Sequence, residues 1–210
     1  MRQFKLVIAG SPGSGKTTAI HTLCGDAAVH TEAGTRTDYG PDKSTITVAL
    51  DYGTLDLGGG DRLHLYGTPG QERFDFMWDI LLHGSLGVAL LIDNSTPDPL
   101  ADLRRFVEAF TVARSGHTFV VGVTHTDQAP QPTIEEYRKI LAATTQDPPI
   151  FEIDARRVED VSMLLMALLY DIDSDLLTAA SRARANDSAS ASTRESVAVR
   201  HWVNSDAASG

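Results

Sequence analysis

A glycine-rich segment near the start of the chain carries the residues best suited to binding phosphate. It has the spacing G-x-x-x-x-G-K-[ST] and reads Gly10-Ser11-Pro12-Gly13-Ser14-Gly15-Lys16-Thr17. Glycines at these spacings let successive backbone N–H groups face phosphate oxygens. Lys16 is expected to reach the β- and γ-phosphates, and the Thr17 hydroxyl to bind Mg²⁺. The pattern predicts a nucleoside triphosphate site, whose binding residues are Gly10, Ser11, Gly13, Ser14, Gly15, Lys16, Thr17 and Thr18.

The sequence on both sides of this segment supports the same interpretation. Residues 4–9 are short and apolar, which predicts a buried strand. Residues 16–24 read as the start of a helix, whose N-terminus adds its unpaired N–H groups and its dipole to an anion site. A chance glycine turn would not combine a strand, a Lys-Thr pair and a helix in this order.

Two further motifs follow the phosphate loop. Residues 47–53 read Thr-Val-Ala-Leu-Asp-Tyr-Gly, and residues 65–74 read Leu-Tyr-Gly-Thr-Pro-Gly-Gln-Glu-Arg-Phe. Together with the phosphate loop they resemble the switch I and switch II segments of Ras-like small GTPases over about residues 4–177. The phrase around Gln71, followed by Phe76-Met77-Trp78-Asp79, resembles the bacterial members encoded beside Roadblock/LC7-domain proteins, the conservon and MglA-like group.

The resemblance implies a role for several of these residues in binding and hydrolysing GTP. Gly70 would donate its N–H to the γ-phosphate, and Gln71 would orient the attacking water. Thr47 would close over the nucleotide and bind Mg²⁺, with Thr45 as a rival. The implied catalytic residues are Gln71, Lys16 and Thr47, and the implied ligands are GTP or GDP with Mg²⁺. This agrees with the chemistry, since phosphoryl transfer depends mainly on positioning and charge neutralisation.

The sequence departs from the family pattern in a residue expected beside the metal ion and in the residues expected to read the base. Switch II usually begins with an Asp beside Mg²⁺, but Gly67 stands there, which should weaken Mg²⁺ binding or change its outer shell. The usual base-reading Asn-Lys-x-Asp is Thr124-His125-Thr126-Asp127, and the usual Ser-Ala-Lys is Asp154-Ala155-Arg156. An arginine finger has no clear candidate: Arg73 and Arg36 are the alternatives, so we expect low intrinsic hydrolysis.

The remaining base-reading residues still favour guanine. Asp127 would accept hydrogen bonds from guanine N1 and N2, the Ala155 amide would meet O6, and the Arg156 stem would cover the ring. His125 either stacks on the base or is an exposed loop histidine. The predicted base-side residues are therefore Thr124, His125, Asp127, Ala155 and Arg156.

Switch II continues into an apolar stretch over residues 74–82 that cannot all face a core. We expect Phe76 or Trp78 to be exposed in one nucleotide state and to form a partner surface that moves with the γ-phosphate. The resemblance implies a Roadblock/LC7-domain partner, expected to be a dimer, that binds the switch loops 35–47 and 67–82.

These motifs favour a regulatory GTPase, with two alternatives. A guanine-nucleotide-binding scaffold that does not hydrolyse GTP is motivated by Gly67 and by the altered base motif. A P-loop kinase acting on a small molecule would need an arginine-bearing lid, and residues 93–118 offer only an amphipathic helix with Arg104 and Arg105.

The elements that must position these residues alternate between strand and helix. Strands are predicted at 4–9, 45–57, 63–66, 86–92, 118–123 and 150–153, and helices at 16–24, 98–114, 133–143 and 158–177, with a loop and a helix over 67–83 and a polar loop at 26–44. Gly58-Gly59-Gly60-Asp61 predicts a hairpin turn. The predicted fold is a Ras-like P-loop NTPase domain with three α/β/α layers, in which a mostly parallel six-stranded sheet includes one antiparallel hairpin.

Composition limits the class and the location of the protein. The 210 residues are 42% apolar with a net charge of −10, which argues against a nucleic-acid footprint. We expect residues 1–177 to form the GTP-binding domain and the Ala/Ser-rich residues 178–210 to be a disordered tail. No apolar run is long enough for a signal peptide or a membrane span, so we expect a cytoplasmic protein without a lipid anchor.

Overall fold

The structure, a computed structural model, describes residues 2–36, 45–70, 80–113, 118–144 and 147–172. Only the backbone is described at 30–36, 45–49, 110–113 and 171. The strands are β1 (Gln3–Gly10), β2 (Val29–Arg36), β3 (Thr45–Gly58), β4 (Asp61–Gly67), β5 (Gly87–Asp93), β6 (Thr118–Thr124) and β7 (Ile150–Glu152). The helices are α1 (Lys16–Cys24), α2 (Pro99–Ala113), α3 (Ile134–Leu141) and α4 (Val158–Ile172), with a short 3₁₀ turn at Gly25–Ala27 and helical residues at 80–82.

These strands form one sheet in the order β2-β3-β4-β1-β5-β6-β7. The strands from β4 through β1, β5 and β6 to β7 are parallel, with Leu6 opposite Leu65 and Ile8 opposite Ala89. The β3–β4 pair is the predicted antiparallel hairpin, turning at residues 59–60. The carboxyl ends of the parallel strands therefore meet at one edge of the sheet, where a ligand site is expected.

All six predicted strands are present, and the mostly parallel α/β fold is confirmed. The polar loop predicted at 26–44 was wrong for residues 29–36, which form β2, a seventh strand antiparallel to β3. Pairing runs from Val29 opposite Tyr52 to Arg36 opposite Thr45. An edge strand takes its hydrogen bonds from one neighbour and needs little apolar sequence, so pairing overrides the weak local propensity.

Apolar side chains alternate across the sheet and build a core on each face. One core gathers Val7, Leu90 and Ile92 with Phe106 of α2 and Tyr137 of α3. The other core gathers Leu6, Ile8 and Leu91, together with side chains of α1 and α4. Because successive strand residues point to opposite faces, β1 contributes to both cores, and the three-layer prediction is confirmed.

The described helices agree with the periodicity that predicted them. The α2 residues Leu103, Phe106 and Val107 are buried, as are the α4 residues Leu164 and Leu165. Side chains of Thr133 and Glu136 form a capping box at the start of α3. Within the described residues, no helix combines the length and apolarity needed to cross a membrane. Residues 71–79 and the tail 178–210 lie outside the described residues, so the predictions made for them remain predictions.

Candidate nucleotide-binding site

The glycine-rich segment forms the turn between β1 and α1, at the carboxyl edge of the sheet. Gly15 precedes the first residue of α1 with a φ of +92°, in the left-handed region, and has no side chain to cap the first amides of the helix. A Cβ on Gly10 would lie 2.2 Å from the carbonyl oxygen of Leu91, so only glycine fits against β5 there. The turn thus leaves the helix N-terminus open to an anion.

Lys16 lies across this turn and is almost completely buried, with 8% of its surface exposed. Its Nζ donates to the carbonyl oxygen of Ser11 at 2.7 Å and to Ser14 Oγ at 3.4 Å. Burial lowers the pKa of Lys16 to about 8, while the charge of Asp51 acts in the opposite direction. A buried ammonium held by neutral oxygens is well suited to binding an anionic phosphate.

Gly70 lies directly against the phosphate loop. A Cβ at this position would be 2.6 Å from the backbone nitrogen of Pro12 and 3.0 Å from Lys16 Nζ. The chain is held there by the amide of Thr68, which donates to the carbonyl oxygen of Ile8 at 2.9 Å. The structure therefore brings Gly70 and Lys16 together. Gln71 lies outside the described residues.

A carboxylate that sequence analysis did not assign lies beside Thr17. The Thr17 hydroxyl donates to Oδ2 of Asp51, a buried residue of β3, at 2.5 Å. Asp51 shares a strand face with the buried Gly53 and Leu55, so the period of two places it inward. That alternation along β3 was the sequence signal that could have identified Asp51 as an inward-facing residue. Among the described residues, no cluster of three or more His, Cys, Asp or Glu side chains could hold a metal ion.

The proposed switch I threonines lie in β3, in agreement with the strand predicted at 45–57, so the predicted switch loop 35–47 was wrong at residues 45–47. Thr47 pairs with Gly34, and Thr45 pairs with Arg36. Only the backbone is described at these positions, so the choice between Thr45 and Thr47 as a Mg²⁺ ligand remains a prediction.

Thr124 and Ala155 contact the phosphate loop. The hydroxyl of Thr124 lies 3.2 Å from the carbonyl oxygen of Ser14 and 3.2 Å from that of Ile92. Ala155 is 7% exposed, and its Cβ would be 2.9 Å from a Cβ on Gly15. These contacts place both residues next to the loop.

His125 is not a freely exposed loop histidine. It follows β6 with a φ of +59°, and its Nδ1 lies 3.1 Å from Oδ1 of Asp93 at the end of β5. Asp93 itself is 8% exposed and accepts a hydrogen bond from the Ser95 amide at 2.8 Å. A ring held in this way is fixed beside the phosphate loop, since Gly13 lies next to the same carboxylate.

Arg156 and Asp154, two residues of the predicted base-reading segment 154–156, form an ion pair. The Arg156 side chain donates three hydrogen bonds to Asp154, of 2.8 and 3.1 Å from Nε and 2.7 Å from Nη2. This pairing lowers the pKa of Asp154 to about 2. The Arg156 guanidinium also lies 4.0 Å from Asp127, whose side chain is 65% exposed. Asp127 and Arg156 are therefore neighbours, although the Arg156 head is bound to Asp154.

Two polar side chains of α2 contact the outside of the phosphate loop. Ser11 Oγ donates to Asp102 at 2.9 Å and accepts from Arg105 at 3.3 Å. Arg105 thus fixes the loop from a helix and does not belong to a lid. Of the other predicted residues, Ser14 is fully buried and Thr18 is exposed.

Comparison with known proteins places the chain in a family. Residues 26–185 match the model of a family described as conserved hypothetical ATP binding protein. The chain belongs to this family. The match begins after the phosphate loop, so residues 10–17 are identified by their own spacing and geometry.

Individual relatives agree with a Ras-like, P-loop GTPase-type ancestry. The Ras-related protein Rab-1D of Dictyostelium discoideum is 23% identical over 176 residues, which cover 82% of this chain and 81% of that protein. Rab-8A of Gallus gallus is 31% identical over 105 residues, covering 50% of this chain and 46% of that protein. An uncharacterized protein of Methanocaldococcus jannaschii is 33% identical over 93 residues, 44% of this chain and about half, 53%, of that relative.

A solved structure shows the same fold. The G domain of the T. maritima FeoB iron transporter superimposes with a TM-score of 0.57 at 20% identity, covering 80% of this chain and 98% of that domain. At this identity the likeness concerns the fold alone, which is that of a P-loop GTPase domain.

Proposed function

We propose that this protein is a regulatory GTPase that binds GTP and GDP with Mg²⁺ and slowly hydrolyses GTP. The observation that carries this proposal is the packing of Gly70 against Lys16 within the phosphate loop. A switch glycine next to the phosphate-binding ammonium allows one group, the γ-phosphate, to hold both segments together. Its loss on hydrolysis would release the chain that follows Gly70.

Guanine is the base we propose, although the family description names ATP. The exposed carboxylate of Asp127, 4.0 Å from Arg156, would accept from the two guanine donors that adenine lacks. The Ala155 side chain lies against the phosphate loop, 2.9 Å from the position of a Cβ on Gly15, and its backbone amide is the group we propose for guanine O6. Adenine would present an amino group to this amide and no paired donors to Asp127, so ATP is the weaker ligand in this proposal.

In the proposed hydrolysis, the residues of the chain position the reacting groups and neutralise the charge of the phosphates. Lys16 and the loop amides neutralise the phosphates, and Gln71 would orient the attacking water. Thr17 and one switch I threonine, Thr47 or Thr45, would hold Mg²⁺, which supplies charge neutralisation at the β- and γ-phosphates when bound. Neither Arg73 nor Arg36 is an assured arginine finger, so the proposed intrinsic rate is low.

The proposed partner is a Roadblock/LC7-domain dimer that binds the switch segments 35–47 and 67–82 in the cytoplasm. The described end of the second segment supports an interaction surface there, because Ile80 is 66% exposed beside the buried Leu81 and Leu82. An apolar side chain at the end of a segment tied to the phosphate loop is suited to reporting the nucleotide state.

Single-turnover GTP hydrolysis, measured with and without a Roadblock-type partner, tests this function. A regulatory GTPase should show slow release of phosphate that the partner accelerates. Tight GTP binding with no turnover in either condition would contradict the GTPase proposal and would favour the non-hydrolysing scaffold. That alternative is favoured by Gly67, which lacks the usual switch II carboxylate.

A further inference from the structure

A hydrogen-bonded group of three side chains joins α2 to the phosphate loop. Ser11 Oγ donates to Asp102 Oδ2 at 2.9 Å and accepts from Arg105 Nη2 at 3.3 Å. Asp102 and Arg105 lie one turn apart on the helix, and Arg105 Nη2 is 3.9 Å from Asp102 Oδ1. The Ser11 hydroxyl therefore bridges an ion pair, with its proton towards the carboxylate and a lone pair towards the guanidinium. Ser11 is 7% exposed, so water competes little for these bonds.

The backbone of the same residue faces the groups proposed for the γ-phosphate. The carbonyl oxygen of Ser11 accepts from Lys16 Nζ at 2.7 Å. A Cβ on Gly70 would lie 2.9 Å from the carbonyl carbon of Ser11 and 2.6 Å from the nitrogen of Pro12. A displacement of Ser11 would therefore move both the oxygen that holds the ammonium group and the surface against which Gly70 packs.

The helix that holds Ser11 is itself fixed in the core. Leu103 and Phe106, which lie beside the ion pair on α2, are completely buried. They belong to the same core as the side chains of β5. The Arg105 guanidinium lies 4.6 Å from the centroid of the Phe106 ring, whose face attracts a cation. The helix can therefore hold Ser11 in one place relative to the sheet, as a precise binding site requires.

We propose that Asp102 and Arg105 are positioning residues for the γ-phosphate, which act through Ser11. The inference rests on the proposed function, because the phosphate it concerns is the terminal phosphate of GTP. Neither side chain contacts the nucleotide in this proposal. They keep the backbone of Ser11 where Lys16 and Gly70 can meet the same phosphate. GDP lacks that phosphate, so the loss of either partner should weaken GTP binding more than GDP binding.

Positioning and long-range charge predict different signs for two substitutions. If the side chains acted only by their charge, Asp102→Asn would strengthen the binding of both nucleotides and Arg105→Gln would weaken it. If they position Ser11, both substitutions should lower the ratio of GTP affinity to GDP affinity. Ser11→Ala changes no charge and should lower this ratio as well.

Competitive titration with fluorescent GTP and GDP in Mg²⁺ measures this ratio without relying on turnover. Ser11→Ala, Asp102→Asn and Arg105→Gln should each lower it roughly tenfold, the usual scale for losing one hydrogen bond to a charged group. The matched control is Arg104→Gln, which makes the same change at the neighbouring, exposed arginine of α2 and should leave the ratio unchanged. Far-UV circular dichroism checks that each variant is folded.

Ser11→Ala keeps the test decisive if a charged variant does not fold, because it removes a single hydroxyl from a loop. Opposite effects of Asp102→Asn and Arg105→Gln, or an unchanged ratio in folded Ser11→Ala, would overturn the inference and leave the proposed GTPase in place. Failure of the wild type to bind any guanine nucleotide would overturn the proposed function, and the inference with it.

Discussion

The buried hydroxyl of Tyr137 donates a 2.6 Å hydrogen bond to the side-chain oxygen of Asn94. The amide nitrogen of Asn94 in turn donates to the carbonyl oxygens of Ala129, at 2.6 Å, and Pro132, at 3.1 Å. Burial and the charges of neighbouring carboxylates raise the pKa of Tyr137, so its hydroxyl stays protonated as a donor. These bonds join α3 and the end of β5 to the loop that carries the predicted base-reading residue Asp127.

Replacing Tyr137 with Phe should destabilise the fold and loosen this loop. The change leaves the buried oxygen of Asn94 without its donor, which typically costs about 1–3 kcal/mol. Thermal unfolding should show a melting temperature lower by about 2–4 °C for each kcal/mol lost. Tyr170→Phe is the matched control, because Tyr170 is 74% exposed and its removal should have no measurable effect. Equal melting temperatures for the two variants would contradict the role of this bond.

Asp127→Asn should change which base the protein prefers. The carboxylate accepts from two guanine donors, whereas an amide offers one acceptor and one donor, a pattern that fits xanthine. Hydrogen bonds to charged groups contribute about 1.5–3 kcal/mol, so GTP affinity should fall by roughly 10–100-fold while XTP affinity rises. Competition between the two nucleotides measures this ratio. Asp147→Asn, at another exposed aspartate, serves as the control, and an unchanged ratio would remove Asp127 from base reading.

Cys24 should be unreactive while the protein is folded. Burial raises the pKa of the thiol to about 12 from 9.0, and β3 packs so closely that a Cβ on Gly53 would be 2.5 Å from Cys24 Sγ. At pH 8 the thiolate is about a thousandfold scarcer than in the unfolded chain, so alkylation by iodoacetamide should be slower by a similar factor. Mass spectrometry with and without guanidinium measures the difference.

The raised pKa of Cys24 also determines the direction in which the stability of the fold changes with pH. Because the folded pKa of Cys24 lies above the unfolded one, its contribution is fully present below pH 9 and is lost as the pH rises towards about 12. Cys24→Ala should remove this part of the alkaline decline in the free energy of unfolding. Rapid alkylation of the folded protein would show that the thiol is accessible and would contradict the packing.

The sequence predicts the phosphate loop and its flanking elements well, for a physical reason. The glycine spacing, Lys16 and the amphipathic helices are local signals, and local backbone rules fix their geometry. The contact between Gly70 and Lys16 lies where the carboxyl ends of β1 and β4 meet at one edge of the sheet. The motifs assigned both residues to the γ-phosphate, and the contact between them comes from the structure.

What could not be predicted depends on pairing between distant segments. Strand β2 has a weak propensity and forms because β3 offers it hydrogen-bonding partners. The hydrogen bond between Thr17 and Asp51 joins α1 to β3, and the alternation that places Asp51 inward does not indicate this partner. The binding of Arg156 to Asp154 likewise depends on the turn after β7, and no spacing rule indicated it.

The measurement that tests the central claim most directly is titration of the purified protein with fluorescent GTP, GDP and ATP in Mg²⁺, beside Lys16→Ala. We expect GTP and GDP to bind more tightly than ATP. Removing the buried ammonium should weaken GTP binding by roughly a hundredfold or more, the usual scale for breaking a buried charge pair. Lys139→Ala, at an exposed lysine of α3, should bind like the wild type. Wild-type affinity in Lys16→Ala, or no nucleotide binding by the wild type, would contradict the account.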